Sequence, residues 1–122
     1  MTGAIAALIG KATGAAAGGT TTPTAVNWRD LYAAVLGATQ IITLSGFTAT
    51  ISIAAAITGA GGLKAIKNGV ITLYSGPFPV VAGDTLGWLV SNYSGSAQSG
   101  VVTVTNATTN TTMDTFAYVL TG

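Results

Sequence analysis

The chain has 122 residues and is built largely from small side chains, with 21 Ala, 21 Thr and 17 Gly. Only 6% of the residues are charged, against about 25% in an average domain. Cys and His are absent, which excludes zinc sites built from them and thiol nucleophiles, and four scattered cations do not form a phosphate-binding surface. The length fits one domain. The composition favours a structural, binding or assembly protein that is not an enzyme, needs no cofactor or metal and binds no nucleic acid.

Residues 1–25 differ from the rest of the chain and are interpreted as an extended apolar arm. The basic residue Lys11 follows the apolar run, whereas a signal peptide has its basic residues first. Gly and Thr interrupt the run before it reaches the length of a membrane span, so we expect no membrane insertion. The simpler interpretation is a flexible terminus. The alternative hypothesis is that Ile5, Leu8 and Ile9 are assembly anchors and that the arm becomes ordered only against a partner.

The segment Thr20–Thr24 is polar, and Pro23 biases it toward extended backbone, which suits a spacer between the arm and a domain over residues 26–122. Within that domain, Asn27–Gly37 is the one helical candidate, with Asn27 as a cap and Gly37 as a terminator. A short strand through Val26 and Trp28 is the competing interpretation.

From Thr39 onward the apolar pattern has a period of two, and turn signals separate the runs every 8–12 residues, as in a sandwich or barrel. We therefore predict an all-β, antiparallel sandwich of about seven strands. Asn68-Gly69 is the strongest hairpin signal. Pro79 has no amide donor, so it belongs on an edge strand or at the first residue of a strand. The predicted core residues are Ile42, Leu44, Ile51, Ile53, Ile71, Leu73, Trp88, Val90, Val102, Val104, Phe116 and Tyr118.

Two stretches resemble known sandwich modules. Tyr74-Ser-Gly-Pro-Phe78, followed by Gly83-Asp84-Thr85-Leu86, is similar to immunoglobulin-like modules of bacteria and phages, the chitobiase C-terminal type among them. The tail 100–108 with Asp114-Thr-Phe116 resembles the closing strands of small sandwich proteins encoded among tailed-phage virion genes. The resemblance covers residues 40–120 and implies an immunoglobulin-like fold. It departs at residues 48–57, which are richer in Ala and Ile, and in the arm.

Candidate chemistry is sparse. The three carboxylates, Asp30, Asp84 and Asp114, lie far apart in sequence, so turn chemistry or local pairing is expected rather than a calcium site or a catalytic pair. Among the aromatic residues, Trp88 lies in phase with the core pattern. Tyr93 is the best candidate for an exposed binding residue, with a host-surface glycan as its possible ligand.

A surface so poor in charge suits a protein that spends its life in a fixed assembly. The sequence therefore predicts a structural protein of a tailed-phage virion: a head decoration or fibre protein, or a tail component. It would form a homo-oligomer, attach by its arm to other virion proteins such as the major capsid or tail protein, and lie on the particle surface. A carbohydrate- or cell-surface-binding immunoglobulin-like module is the alternative.

Overall fold

The computed structural model describes residues 19–33, 36–59, 61–91 and 96–121, and these residues form strands and no helix. The strands are β1 (Leu31–Ala33), β2 (Leu36–Ala38), β3 (Ile42–Thr43), β4 (Ile51–Ile57), β5 (Gly62–Lys67), β6 (Val70–Leu73), β7 (Phe78–Val80), β8 (Thr85–Ser91), β9 (Gln98–Asn106) and β10 (Thr111–Leu120).

Two sheets form the domain. Sheet 1 has the order β1-β10-β9-β4-β7, and sheet 2 has the order β2-β8-β5-β6, with β3 also paired to β8. The pairings are antiparallel except that of β1 with β10, which is parallel. The sheets enclose one apolar core, so the predicted all-β sandwich is confirmed.

More strands are present than the seven expected, partly because one edge of sheet 2 is interrupted. β2 and β3 pair with the two ends of β8, and the chain between them crosses Gly87. A Cβ on Gly87 would collide with the Ile41 side chain and approach the Gln40 carbonyl oxygen to 3.2 Å. Because Gly87 has no side chain, the Ile41 side chain has space to lie across β8 at this position.

Aromatic rings fill the centre of the core. Trp28 and Trp88 meet edge to face with ring centroids 6.0 Å apart, and Tyr74 and Phe78 lie 6.4 and 6.1 Å from Trp88. The Trp28 indole N–H donates to the Leu86 carbonyl oxygen at 3.1 Å. The predicted core residues that are buried are Leu44, Ile51, Ile53, Trp88, Val90, Val102, Val104, Phe116 and Tyr118.

The prediction that Ile71 and Leu73 are buried is wrong. They are 55% and 65% exposed, and Ile42 is only partly buried. Since β6 is an edge strand, its register with β5 decides which way its side chains point, and it places Ile71 opposite Ile66 and Leu73 opposite Lys64 on the outer face.

Two local predictions, one of a hairpin turn and one of an edge strand, are confirmed. Asn68 and Gly69 join β5 to β6 with φ values of 51° and 81°, the left-handed pair that a two-residue type I′ hairpin requires. The strand with Pro79, β7, lies at the edge of sheet 1.

No helix forms in the described part of 27–37, and the extended alternative is closer, although the strand begins at Leu31 rather than Val26. Two hydrogen bonds that join this segment to β10 hold it in place, and a carboxylate accepts each of them. Asp114 Oδ2 accepts from the Trp28 backbone N–H at 2.7 Å, and Asp30 Oδ1 accepts from the Ala117 N–H at 2.9 Å. These bonds hold the chain extended along β10.

Residues 19–25 run along the sandwich as a strap, so the free spacer expected of Thr20–Thr24 is not what its contacts show. The Thr20 carbonyl oxygen accepts from the N–H groups of Thr48 and Ala49, at 3.1 and 3.0 Å. Thr24 N–H donates to the Ser45 carbonyl oxygen at 2.8 Å. The buried Asn106 amide donates to the Thr21 carbonyl oxygen at 2.8 Å.

Candidate functional site

The predicted anchors Ile5, Leu8 and Ile9 and the predicted exposed residue Tyr93 lie outside the described residues. The described surfaces that could form a site are the faces and edges of the sandwich.

The three carboxylates hold backbone. Asp30 and Asp114 fix the segment before β1, as above, and Asp84 closes the turn between β7 and β8 by accepting from the Val81 N–H at 2.9 Å. No group of three Asp, Glu, His or Cys side chains lies together as metal ligands in the part of the chain that the structure describes. Asp84 thus shows the expected turn chemistry, whereas Asp30 and Asp114 accept hydrogen bonds from residues 87 and 86 positions away rather than pairing locally.

Asp84 is also tied to the β5–β6 hairpin, because its Oδ1 accepts from the Asn68 side-chain amide at 2.9 Å. This hydrogen bond, then the one from Val81, and the nearby charge of Lys67 hold the pKa of Asp84 below its ordinary value. A lowered folded pKa means that the carboxylate stabilises the fold above the unfolded pKa and that this contribution is lost as the pH falls through the folded value.

We therefore expect Asp84→Asn to lower the melting temperature at pH 7. The gap from the unmodified chain should begin to close as the pH falls below about 4 and should close fully only below the lowered folded pKa, where the folded carboxyl is also protonated. Thermal unfolding followed by circular dichroism between pH 2 and 7 measures this. A gap of constant size across that range would show that the charge of Asp84 contributes nothing.

The outer face of sheet 2 is apolar. Leu63 and Ala65 of β5 and Leu86, Trp88 and Val90 of β8 point into the core, so the alternate residues point outward. We call this outward set the apolar face. It comprises Leu36, Ile41, Ile66, Ile71, Leu73 and Leu89, with Lys64 as its one charge.

Four members of the apolar face are largely open to solvent: Leu36 is 57% exposed, Ile41 50%, Ile71 55% and Leu73 65%. An antiparallel sheet with one solvated face normally alternates apolar inside with polar outside. Contiguous exposed apolar surface of this kind marks an interaction site in soluble proteins.

The outer face of sheet 1 has a different character. The outward positions of β4, β9 and β10 include Ser52, Ala54, Ala56, Thr103, Thr105, Thr115 and Ala117, together with Val101 and Val119, which are 36% and 37% exposed. Larger groups occur toward the β1 edge, where Tyr32 is 76% exposed and is paired in register with Val119. The two faces of the sandwich are therefore unequal, and the one rich in Leu and Ile belongs to sheet 2.

The apolar face ends at an open strand edge, β6. Tyr74 N–H donates to the Leu63 carbonyl oxygen at 3.1 Å, and antiparallel alternation directs the backbone groups of Thr72 toward β5 as well. The N–H and C=O of Ile71 and Leu73 consequently point away from the sheet, and the described residues offer them no partner. Unlike β7, which carries Pro79, β6 has neither Pro nor a charge to block pairing.

Two pockets lie beside Lys67, and one of them borders β6. One, of about 270 Å³, is lined by residues 72–78 with Ala65 and Lys67. The other, of about 260 Å³, is lined by Thr50, Lys67, residues 79–81 and Asp84. Lys67 lines both pockets. It also links the two sheets, since its Nζ donates to the Pro79 carbonyl oxygen at 2.9 Å.

Sequence reasoning missed the apolar face, although a signal was present. In β8 the run Leu86-Gly-Trp-Leu-Val90 has leucine in both phases, and Ile66 and Ile71 fall on the same outer phase once the hairpin register is known. Apolar residues in both phases of an antiparallel strand indicate that both faces are covered.

No family model, no curated protein and no solved structure matches this chain. Within the described ranges no helix has the length and apolar character needed to span a membrane. The functional proposal therefore rests on the surfaces of the sandwich and on the sequence.

Proposed function

We propose that the chain is a non-enzymatic structural protein of a tailed-phage virion, either a head decoration or fibre protein or a tail component. It is held in a homo-oligomeric assembly by its arm and by the apolar face, and it lies on the particle surface. The observation that carries the proposal is the apolar face on a domain with almost no charge.

The physical reason is desolvation. Burying a fully exposed Leu or Ile stabilises by about 1.5–3 kcal/mol, and the four open members of the apolar face, which are 50–65% exposed, gain roughly half of that when they are covered. Because Lys64 is the one charge of that face, covering it strands little charge in a low-dielectric environment. The Thr- and Ala-rich face of sheet 1, whose larger exposed apolar groups are Tyr32, Val101 and Val119, offers a smaller gain and is the surface that we expect to stay in water.

The test is the protein content of purified particles. Particles from a lysate of the source strain, banded by density, are expected to contain this chain in a fixed ratio to the major capsid or tail protein by quantitative mass spectrometry. Immunogold labelling of the same particles should place it on their surface. Its absence from intact particles, or a ratio that changes between preparations as a contaminant's does, contradicts the proposal.

The alternative, a carbohydrate- or cell-surface-binding module, is favoured by one observation, the 76% exposed ring of Tyr32 on sheet 1. Exposed aromatic rings give a sugar an apolar platform. Binding of the isolated chain to a glycan array that is lost in Tyr32→Ala would favour this alternative over the virion proposal.

A further inference from the structure

We propose that residues 4–9 of this chain add as a further strand to the open edge of β6 in the same molecule and cover Ile71 and Leu73. The proposal goes beyond the virion function and does not depend on it, since the strand would cap the free chain whatever the assembly. In a virion protein, residues 4–9 would leave the edge of β6 when the arm attaches to the particle.

The edge supplies the backbone half of such a pairing. Ile71 and Leu73 each direct one N–H and one C=O away from β5, which is the pattern an incoming strand requires. Their side chains are more than half exposed, so the added strand also gains apolar contact.

The position of the first residues of the strap indicates that the added strand comes from the same chain. Gly19 and Thr20 lie against Thr48 and Ala49. The next residue, Thr50, lines one pocket with Lys67, the last residue before the β5–β6 turn. The strap therefore begins on the side of the sandwich where β6 starts, and residues 10–18 extend up to about 30 Å when fully stretched.

The direction is also consistent. Going back along the chain from Gly19, the segment would run from the Val70 end of β6 toward Leu73. Its sequence direction is then opposite to that of β6, which gives the antiparallel pairing that the rest of sheet 2 uses.

The composition of the segment fits the edge. Residues 4–9 read Ala-Ile-Ala-Ala-Leu-Ile and contain no charge, Gly or Pro. In an extended strand Ile5 and Ile9 share one side and Leu8 takes the other. One side therefore continues the apolar face, while the other lies over the pocket beside Thr72.

Amide hydrogen exchange of the full chain, followed by NMR, tests the pairing. We expect the amides of Ile71 and Leu73 to be protected in the unmodified chain, and the double variant Ile5→Asp/Ile9→Asp to speed their exchange about tenfold or more. The matched control Thr2→Asp/Thr13→Asp adds the same two charges outside residues 4–9 and should leave both rates unchanged. The Trp88 amide, in the centre of sheet 2, should exchange equally slowly in all three proteins and so reports an intact fold.

Two results would overturn the proposal. Equal exchange of Ile71 and Leu73 in the unmodified chain and the Asp variant would show that the segment does not cover the edge. Protection that grows with protein concentration would show that the covering strand comes from a second copy. Neither result bears on the presence of the chain in particles, so the two proposals fail separately.

Discussion

Replacing Trp88 by Ala is expected to lower the free energy of unfolding by about 3–5 kcal/mol, the cost of a large cavity in a core. Trp88 is fully buried and contacts the rings of Trp28, Tyr74 and Phe78. Its indole N–H has no hydrogen-bond partner in the structure, so the loss comes from packing rather than from a broken hydrogen bond. Chemical denaturation with linear extrapolation measures the change.

The matched control for Trp88→Ala is Tyr32→Ala. Tyr32 is 76% exposed on sheet 1, so its truncation should change the free energy of unfolding by less than about 0.5 kcal/mol. A loss of less than 1 kcal/mol in the Trp88 variant, or equal losses in the two variants, would contradict the position of Trp88 at the centre of the core.

Two amino-terminal deletions are expected to behave differently. Removing residues 1–18 should lower the melting temperature only by the contribution of the strand proposed for residues 4–9, because the described core and its hydrogen bonds lie among later residues. Removing residues 1–25 also deletes the strap and leaves the buried Asn106 amide without the Thr21 carbonyl. An unsatisfied buried polar group costs about 1–3 kcal/mol, so the longer deletion should be destabilised by that amount.

Differential scanning calorimetry of the two truncated proteins beside the full chain makes the comparison. The check is Asn106→Leu made in both the full chain and the longer deletion. It should cost less in the deletion, where the hydrogen bond to the Thr21 carbonyl oxygen is already lost, than in the full chain. If the longer deletion melts at the same temperature as the shorter one, the strap contributes nothing to the fold and acts only as a spacer.

The parts of the fold that depend on local pattern were predictable from the sequence. Side-chain alternation located Ile51, Ile53, Val102 and Val104 in the core, and the Asn68-Gly69 pair located a hairpin. Such features depend on neighbouring residues and on the period of a strand, which a single sequence displays.

Features that depend on distant pairing were not predictable. In the described part of Asn27–Gly37 the extended alternative replaces the helical candidate. Asp30 accepts a hydrogen bond from a residue 87 positions away, and Asp114 accepts one from a residue 86 positions away. Ile71 and Leu73 alternate correctly for a strand, but which of the two phases of that strand faces the core depends on its register with β5. Tertiary context then overrides the pattern.

The same limit applies to the candidate site. The predicted anchors and Tyr93 lie outside the described residues, while the apolar face arises only when β2, β8, β5 and β6 lie side by side. Leu36 and Leu73 are 37 positions apart in the sequence yet share this face. A surface assembled from four strands is signalled only in part by any one of them, as by the leucines in both phases of β8.

The most direct test of the account is thiol accessibility in the assembled particle. The chain has no Cys, so Ile41→Cys on the apolar face and Thr115→Cys on the outer face of sheet 1 each introduce one thiol. Each is labelled with a water-soluble maleimide in intact particles and again after dissociation. We predict that Cys at position 41 reacts at least about tenfold more slowly in the particle than after dissociation, as expected for a surface covered in an interface, while Cys at position 115 reacts equally in both. Free labelling of position 41 in the intact particle would contradict the claim that the apolar face holds this protein in its assembly.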